Sequence, residues 1–109
     1  MSPTSGYVLQ RVTAAVMVPL IAVHLATILY AVADGLTAQE ILQRTRGSLF
    51  WACFYGVFVV CAAAHAAIGI QTICVEWTAM GRRRASHLSA MFALLLLLAG
   101  LRAVYAVVA

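Results

Sequence analysis

The sequence predicts an all-α membrane protein with three transmembrane helices and a short surface helix in the first loop. The 109-residue chain is 65% hydrophobic and only 9% charged, and its mean hydropathy is +1.02. This composition excludes an ordinary water-soluble domain. Three apolar runs, at about 12–33, 49–75 and 87–108, each exceed or approach the roughly 20 helical residues needed to cross a bilayer. They are expected to form one membrane domain over residues 1–109.

The first span follows a short polar lead. Pro3 and Gly6 disfavour a helix in that lead, so the helix is predicted to begin near Tyr7. The Ala-Asp-Gly sequence at 33–35 predicts its end. The run is too long for a cleavable signal and has no basic residue before Arg11, so it is expected to remain as a span.

The later elements have recognisable start signals. Thr37 and Glu40 have the spacing of a capping box, which predicts a surface helix running to about Arg46. The Gly-Ser pair at 47–48 predicts the start of the second span. Ser86 is the predicted N-cap of the third helix.

The basic residues predict the orientation of the chain. All seven are arginine. Arg11 and the three arginines at 82–84 lie on one side of the predicted membrane, whereas Arg44 and Arg46 lie on the other. The seventh, Arg102, falls inside the third apolar run. The positive-inside rule therefore places the N-terminus in the cytoplasm and the C-terminus across the membrane. The net charge of +4 comes from arginines at headgroup level, which indicates contact with lipid and no nucleic-acid partner.

Three cysteines, Cys53, Cys61 and Cys74, all lie in the second span. An odd number without CxxC spacing, inside an apolar helix, is typical of small packing residues. A disulfide framework and a zinc site are therefore not expected.

Ionisable residues inside a membrane span are costly and usually mark function. Glu76 follows His65 by eleven residues, so in an α-helix the two side chains point within about 20° of each other around the helix axis. Gly69 and Thr72 lie between them on the same face. Neutral imidazole is a common axial ligand of haem, and a glycine one turn away would leave room for a flat macrocycle. The alternative is tight helix packing, with an interhelical hydrogen bond from His65.

Two further polar residues lie deeper towards the opposite membrane surface. His24, in the first span, either hydrogen-bonds a neighbouring helix or ligates a second haem. Arg102 lies at a similar depth, where it could snorkel to headgroups, pair with Asp34, or hold a haem propionate.

Arg11, Glu76 and Trp77 are expected near one membrane surface. They are either hydrated boundary residues, with the indole as an interfacial anchor, or a cation, a carboxylate and a hydrogen-bond donor facing a membrane-soluble ligand. A quinone, whose carbonyl oxygens accept hydrogen bonds, fits the second description.

Two segments, YVLQRVTAAVMVPLIAVHL at 7–25 and HAAIGIQTICVEW at 65–77, resemble a known family. They are similar to the small haem-binding membrane anchor subunits of succinate dehydrogenase and fumarate reductase (succinate:quinone oxidoreductase), and most similar to the smaller anchor. The resemblance rests on an arginine followed by Thr-Ala in the first span. It also rests on a histidine with a glycine four residues later and an acidic-aromatic pair eleven residues later.

This resemblance implies a subunit of respiratory complex II, in the bacterial inner membrane, that links the tricarboxylic acid cycle to electron transport. Its expected partners are a second three-helix anchor, an iron–sulfur subunit and a flavoprotein subunit. The two anchors would hold haem b between them and form the quinone site. No catalysis is expected from this chain alone.

The resemblance also assigns residues. His65 matches the haem ligand, and Arg11 matches an arginine near the haem propionates and the quinone. Glu76-Trp77 matches an Asp-Tyr pair at the quinone site, although an indole cannot accept a hydrogen bond or ionise as a phenol does. Members with two haems use histidines from the first and second helices, so His24 leaves both one and two haems b open.

Three alternatives belong to other functional classes. A haem b anchor of another respiratory oxidoreductase would also use helix histidines, and a purely structural small membrane subunit would use none. A small multidrug transporter would need four spans and an acidic residue in the first, and the first span here has none.

Overall fold

The computed structural model describes residues 2–109 and confirms the all-α fold class. Four helices follow one another along the chain: α1 (Pro3–Asp34), α2 (Ala38–Thr45), α3 (Leu49–Trp77) and α4 (Arg82–Val108). The three long helices are apolar and long enough to cross a membrane, and α2 is the short helix between the first two. The bundle measures 48 × 23 × 23 Å, so its long axis exceeds the roughly 30 Å of a hydrocarbon core.

The predicted start of the first helix near Tyr7 is wrong. Helix α1 already begins at Pro3, and the hydroxyl of Ser2 caps it by accepting a hydrogen bond of 3.1 Å from the backbone N–H of Ser5. Proline is well tolerated at the first helical position, because the N–H that it lacks would have no partner within the helix.

The predicted N-cap of the third long helix, Ser86, is also wrong. Helix α4 begins at Arg82, after Gly81, and the carbonyl of Ser86 already accepts a hydrogen bond from the Ser89 hydroxyl. The apolar pattern marks the part of a helix within the membrane, whereas arginine is a good helix former that lets the helix continue beyond it.

The predicted signals around α2 are confirmed. Thr37 and Glu40 form a reciprocal capping box, and these hydrogen bonds, above all that from the Thr37 hydroxyl, hold the pKa of Glu40 below its ordinary value. Ser48 caps α3. Gly35 ends α1 with a φ of 148°, a conformation that favours glycine.

The segment after α2 is bonded to the end of α4. The Thr45 hydroxyl donates to the carbonyl of Val107 (2.6 Å), and the Gly47 N–H donates to that of Val108 (2.8 Å). Arg46 Nε donates to the backbone oxygen of Ala109 (3.0 Å). These bonds satisfy carbonyls that a helix C-terminus leaves without internal partners, and they fix α2 across this end of the bundle.

Helix α3 is the central helix. It packs against both α1 and α4, which have few contacts with each other. Most large apolar side chains are exposed on the outside of the bundle, as expected for surfaces that face lipid or another membrane subunit. The weak contact between α1 and α4 leaves a cleft at each end of the bundle.

Candidate haem and quinone site

The imidazole of His65 lies at the contact between α3 and α1. Its Nδ1 is 3.1 Å from the hydroxyl oxygen of Thr13, which is one of the few buried polar residues of the chain. Within residues 2–109, Nε2 of His65 takes part in no recorded hydrogen bond. The sequence predicted His65 but missed Thr13, the residue that holds it.

The hydrogen bonds of Thr13 indicate which imidazole nitrogen is protonated. Its hydroxyl has one proton, which is directed to the carbonyl oxygens of Leu9 (2.8 Å) and Gln10 (3.1 Å) in the preceding turn. With its proton on these carbonyls, the hydroxyl oxygen is an acceptor for Nδ1–H in the tautomer of His65 that carries its proton on Nδ1. In that tautomer the lone pair of a neutral imidazole lies on Nε2, which is the arrangement of a metal-ligating histidine whose second nitrogen is hydrogen-bonded.

A cleft of about 790 Å³ opens at the end of the bundle where α1 begins and α3 ends. We call it the proximal cleft. Its polar side chains include those of Tyr7, Gln10, Thr72, Glu76, Arg82 and Ser86. It combines the carboxylate of Glu76, the guanidinium of Arg82 and several hydrogen-bonding groups with apolar walls. Such a cleft suits a ligand with a polar head and an apolar tail.

The structure brings some of the predicted site residues together here. Gly69 and Glu76 line the proximal cleft, while His65 lies four residues deeper along α3. Trp77 is 82% exposed and Arg11 is also exposed; neither is among the residues that line the cleft.

Arg11 is connected to the proximal cleft through Tyr7. Its Nε donates a hydrogen bond of 3.0 Å to the Tyr7 hydroxyl, and its guanidinium lies 5.3 Å from the centre of the same ring. Tyr7 itself lines the cleft. The predicted cation therefore lies beside the cleft wall rather than in it.

Gln10 occupies the space that the sequence analysis assigned to a macrocycle. A Cβ added to Gly69 would lie 3.4 Å from Gln10 Nε2, an ordinary van der Waals contact, so the amide lies directly against this position of α3. Gln10 was not predicted as a site residue. The signal available in the sequence is its position three residues before Thr13, on the same face of α1.

A second cleft, of about 490 Å³, lies at the opposite end between α1, α3 and α4, and we call it the distal cleft. His24 lines it, with its ring 5.5 Å from that of Tyr55 and 5.6 Å from that of Phe58, both edge-on. Nδ1 of His24 is buried and has no hydrogen-bond partner in residues 2–109. His24 thus differs from His65, whose Nδ1 is bonded.

One of the three alternatives for Arg102, pairing with Asp34, is not found in the structure. Asp34 pairs with Arg44 at 2.9 Å rather than with Arg102, and Arg44 also donates to the carbonyl of Gly35 (2.7 Å). Arg44 lines the distal cleft, whereas Arg102 is exposed and lies outside its lining. Sequence spacing did not reveal Arg44, because the turn after α1 folds it back over the helix end.

Comparison with known proteins identifies the family. The family model of the succinate dehydrogenase/fumarate reductase transmembrane subunit matches residues 2–103. No curated protein and no solved structure matches the chain significantly. Because the family match covers nearly the whole sequence and all three long helices, this chain belongs to the succinate dehydrogenase/fumarate reductase transmembrane subunit family.

Proposed function

We propose that this membrane subunit ligates haem b through His65 and forms one wall of a quinone site at the proximal cleft. Succinate would be oxidised by a flavoprotein subunit, and an iron–sulfur subunit would pass the electrons to the quinone. A second three-helix anchor would contribute the other axial ligand. Family membership supports the succinate dehydrogenase or fumarate reductase assembly over another respiratory oxidoreductase.

The hydrogen bond between Thr13 and His65 is the observation that carries the proposal. A ligating histidine usually donates its second ring N–H to a fixed acceptor, which sets the tautomer and the ring orientation. Thr13 is such an acceptor, at 3.1 Å, and Nε2 has no competing hydrogen bond within residues 2–109. Haem b, when bound, supplies one-electron redox chemistry beside the quinone site.

Glu76 is the proposed proton donor and acceptor of the quinone site. Reduction of a quinone to a quinol takes up two electrons and two protons, so the site needs a group that exchanges protons with water. Glu76 lines the proximal cleft and is itself exposed at the membrane boundary. A carboxylate in this position can take protons from the aqueous phase and pass them to the ligand.

Arg11 and Trp77 are the proposed hydrogen-bond donors to the quinone. Both lie at the same end of the bundle as Glu76, and both side chains can only donate. The partner anchor and the iron–sulfur subunit would have to close the site from their side, since Trp77 is 82% exposed in this chain. Gly69 would serve the site as the position of α3 against which the Gln10 amide lies.

The contacts of His24 favour one haem per assembly over two. A second axial ligand here would need an acceptor for its second ring N–H; residues 2–109 supply none to Nδ1, so that acceptor would have to come from another subunit, as it does not for His65. The arginine that lines the distal cleft, Arg44, is already paired with Asp34, and Arg102 is outside the cleft, so neither is well placed to hold a propionate. His24 remains the candidate ligand if a second haem is found.

Replacement of His65 by leucine in the assembled complex tests the proposal. We expect loss of the haem b bands from the reduced-minus-oxidised spectrum, with flavin still present in the membrane fraction. His87→Leu is the matched control, because His87 is exposed at the start of α4 and lines neither cleft. An unchanged haem b spectrum in the His65 variant would favour a purely structural subunit.

A further inference from the structure

The side-chain amide of Gln10 has no hydrogen-bond partner in residues 2–109. Its Oε1 is buried and unpaired, and Nε2 takes part in no recorded hydrogen bond either. Buried amide groups are nearly always hydrogen-bonded in folded proteins, since leaving one unpaired costs the free energy of its lost hydration. The amide of Gln10 therefore calls for a partner from outside this chain.

Gln10 lies between the haem ligand and the proximal cleft. Its side chain lines the cleft and lies next to Gly69, where an added Cβ would be in van der Waals contact with Nε2 at 3.4 Å. Its backbone carbonyl accepts from the Thr13 hydroxyl (3.1 Å), and that hydroxyl also contacts His65. A ligand that meets the Gln10 amide is therefore within one helical turn of the group that fixes His65.

The chemistry of the amide indicates what this ligand is. A quinone oxygen can only accept a hydrogen bond, whereas the hydroxyl of the quinol can also donate one. Arg11 and Trp77 only donate, and an ionised Glu76 only accepts. An amide does both, through Nε2 and Oε1, as do the hydroxyls of the cleft and the amide of Gln71. Among the side chains lining the cleft, Gln10 is the one with a buried, unpaired polar atom.

We propose that the Gln10 amide binds the head group of the quinone in the proximal cleft in both redox states. Nε2 donates to the carbonyl oxygen of the quinone, and rotation of the amide about its last side-chain bond presents Oε1, which is buried in this chain alone, to the hydroxyl of the quinol. No proton is transferred to or from the amide. Gln10 is thus a binding residue that can hydrogen-bond both the quinone before reduction and the quinol after it. This inference rests on the proposed quinone site.

Substitution of Gln10 by methionine, which has a similar length but no amide, tests the inference in membranes containing the whole complex. The probes are short-chain ubiquinone and menaquinone analogues, assayed both as oxidised acceptors of electrons from succinate and as quinols with fumarate. We expect KM to rise roughly five- to tenfold for the quinone and for the quinol. The haem b spectrum and succinate oxidation with a soluble dye should not change.

Two further variants make the test specific. Gln43→Met places the same change on the exposed side of α2, far from the cleft, and should leave both KM values unchanged. Gln10→Asn keeps the polarity of the amide but withdraws it by one methylene. It should therefore raise both KM values even if the methionine variant fails to assemble.

The outcomes separate this inference from the proposed function. KM values within twofold of the wild type in the Gln10 variants would overturn the role of the amide and leave the quinone site standing. A rise in KM for only one redox form would overturn the dual role. A wild-type complex that reduces neither quinone analogue would overturn the proposed quinone site itself.

Discussion

The hydroxyl oxygen of Thr13 on α1 lies 3.1 Å from Nδ1 of His65 on α3. Thr13 is ten residues after the start of α1 at Pro3, and His65 is twelve residues before the end of α3 at Trp77. At 1.5 Å per residue, both lie about 15 to 18 Å from the same end of the bundle. Antiparallel packing of two continuous helices is thus sufficient to bring them level.

Replacing Thr13 by valine should weaken haem binding without preventing assembly. Valine keeps the branched shape but removes the acceptor, so the imidazole of His65 loses the bond that orients it. Loss of such a partner typically costs about 10- to 100-fold in affinity for the bound metal group. The imidazole also becomes less basic, and we expect the haem b midpoint potential to rise, as measured by redox titration of the visible spectrum.

Thr13→Ser is the matched control, because serine retains the hydroxyl. It should keep haem occupancy and midpoint potential close to the wild-type values. Equal haem loss in the serine and valine variants would show that retaining the hydroxyl does not protect haem binding, and would contradict a specific role for the hydrogen bond to His65.

The contrast between His65 and Thr13 shows what could be predicted from the sequence. A histidine in a long apolar run is conspicuous because it is costly there. Threonine is common in membrane helices, where its hydroxyl can bond the preceding turn, as Thr13 does. Its second contact joins residues 52 positions apart and depends on the rotation of α1 against α3, which the sequence pattern does not specify.

The ends of the helices show the same limit. The capping box of Thr37 and Glu40 is a local hydrogen-bonding pattern, and it was predicted correctly. Helices α1 and α4 extend beyond their apolar runs to Pro3 and Arg82, because hydropathy reports the membrane and not the hydrogen-bonded helix. Gln10 lies inside the helix predicted from Tyr7 onward and was missed for another reason: a neutral amide near the membrane boundary is less costly than a charge and does not stand out in the sequence.

Glu76→Gln should slow the reduction of quinone with little effect on the rest of the complex. The amide cannot exchange a proton, so if Glu76 relays protons to the ligand, kcat for quinone reduction should fall about 10²-fold. Succinate oxidation with a soluble dye and the haem b spectrum should be unchanged. The assay is steady-state quinone reduction, with variant and wild type compared at the same pH.

The same substitution at Glu40 is the control for Glu76. Glutamine can replace glutamate in a capping box, so Glu40→Gln should keep α2 folded and leave quinone reduction unaltered. If Glu76→Gln reduces quinone at the wild-type rate, protons reach the ligand by another route and Glu76 is only a hydrated boundary residue.

His24→Leu should leave the haem content of the complex unchanged. The buried Nδ1 of His24 has no acceptor within residues 2–109, so its ring is less well prepared for ligation than that of His65. We expect a haem-to-flavin ratio of about one in both wild type and variant, measured by pyridine haemochrome and released flavin. A wild-type ratio near two that falls to one in the variant would instead assign a distal haem to His24.

The packing of α4 on α3 depends on Gly100. A Cβ added there would lie 2.5 Å from Val59 Cγ1 and 2.9 Å from its Cγ2. Both distances are shorter than carbon atoms can approach without one of them moving. Gly56, on α3, has nothing within 4 Å of the corresponding position. The two glycines therefore allow the same substitution at one crowded and one open site of the bundle.

Gly100→Ala should destabilise the assembled complex, because α4 must move away from α3 or Val59 must leave its preferred rotamer. Overpacking of this kind costs about 1–3 kcal/mol, which should lower the temperature of haem loss in a thermal scan of the visible spectrum. Gly56→Ala should have little effect. Val59→Ala combined with Gly100→Ala should recover most of the loss, since it removes the clashing methyl groups. If the double variant is as unstable as Gly100→Ala, the contact between Gly100 and Val59 does not set the spacing of α3 and α4.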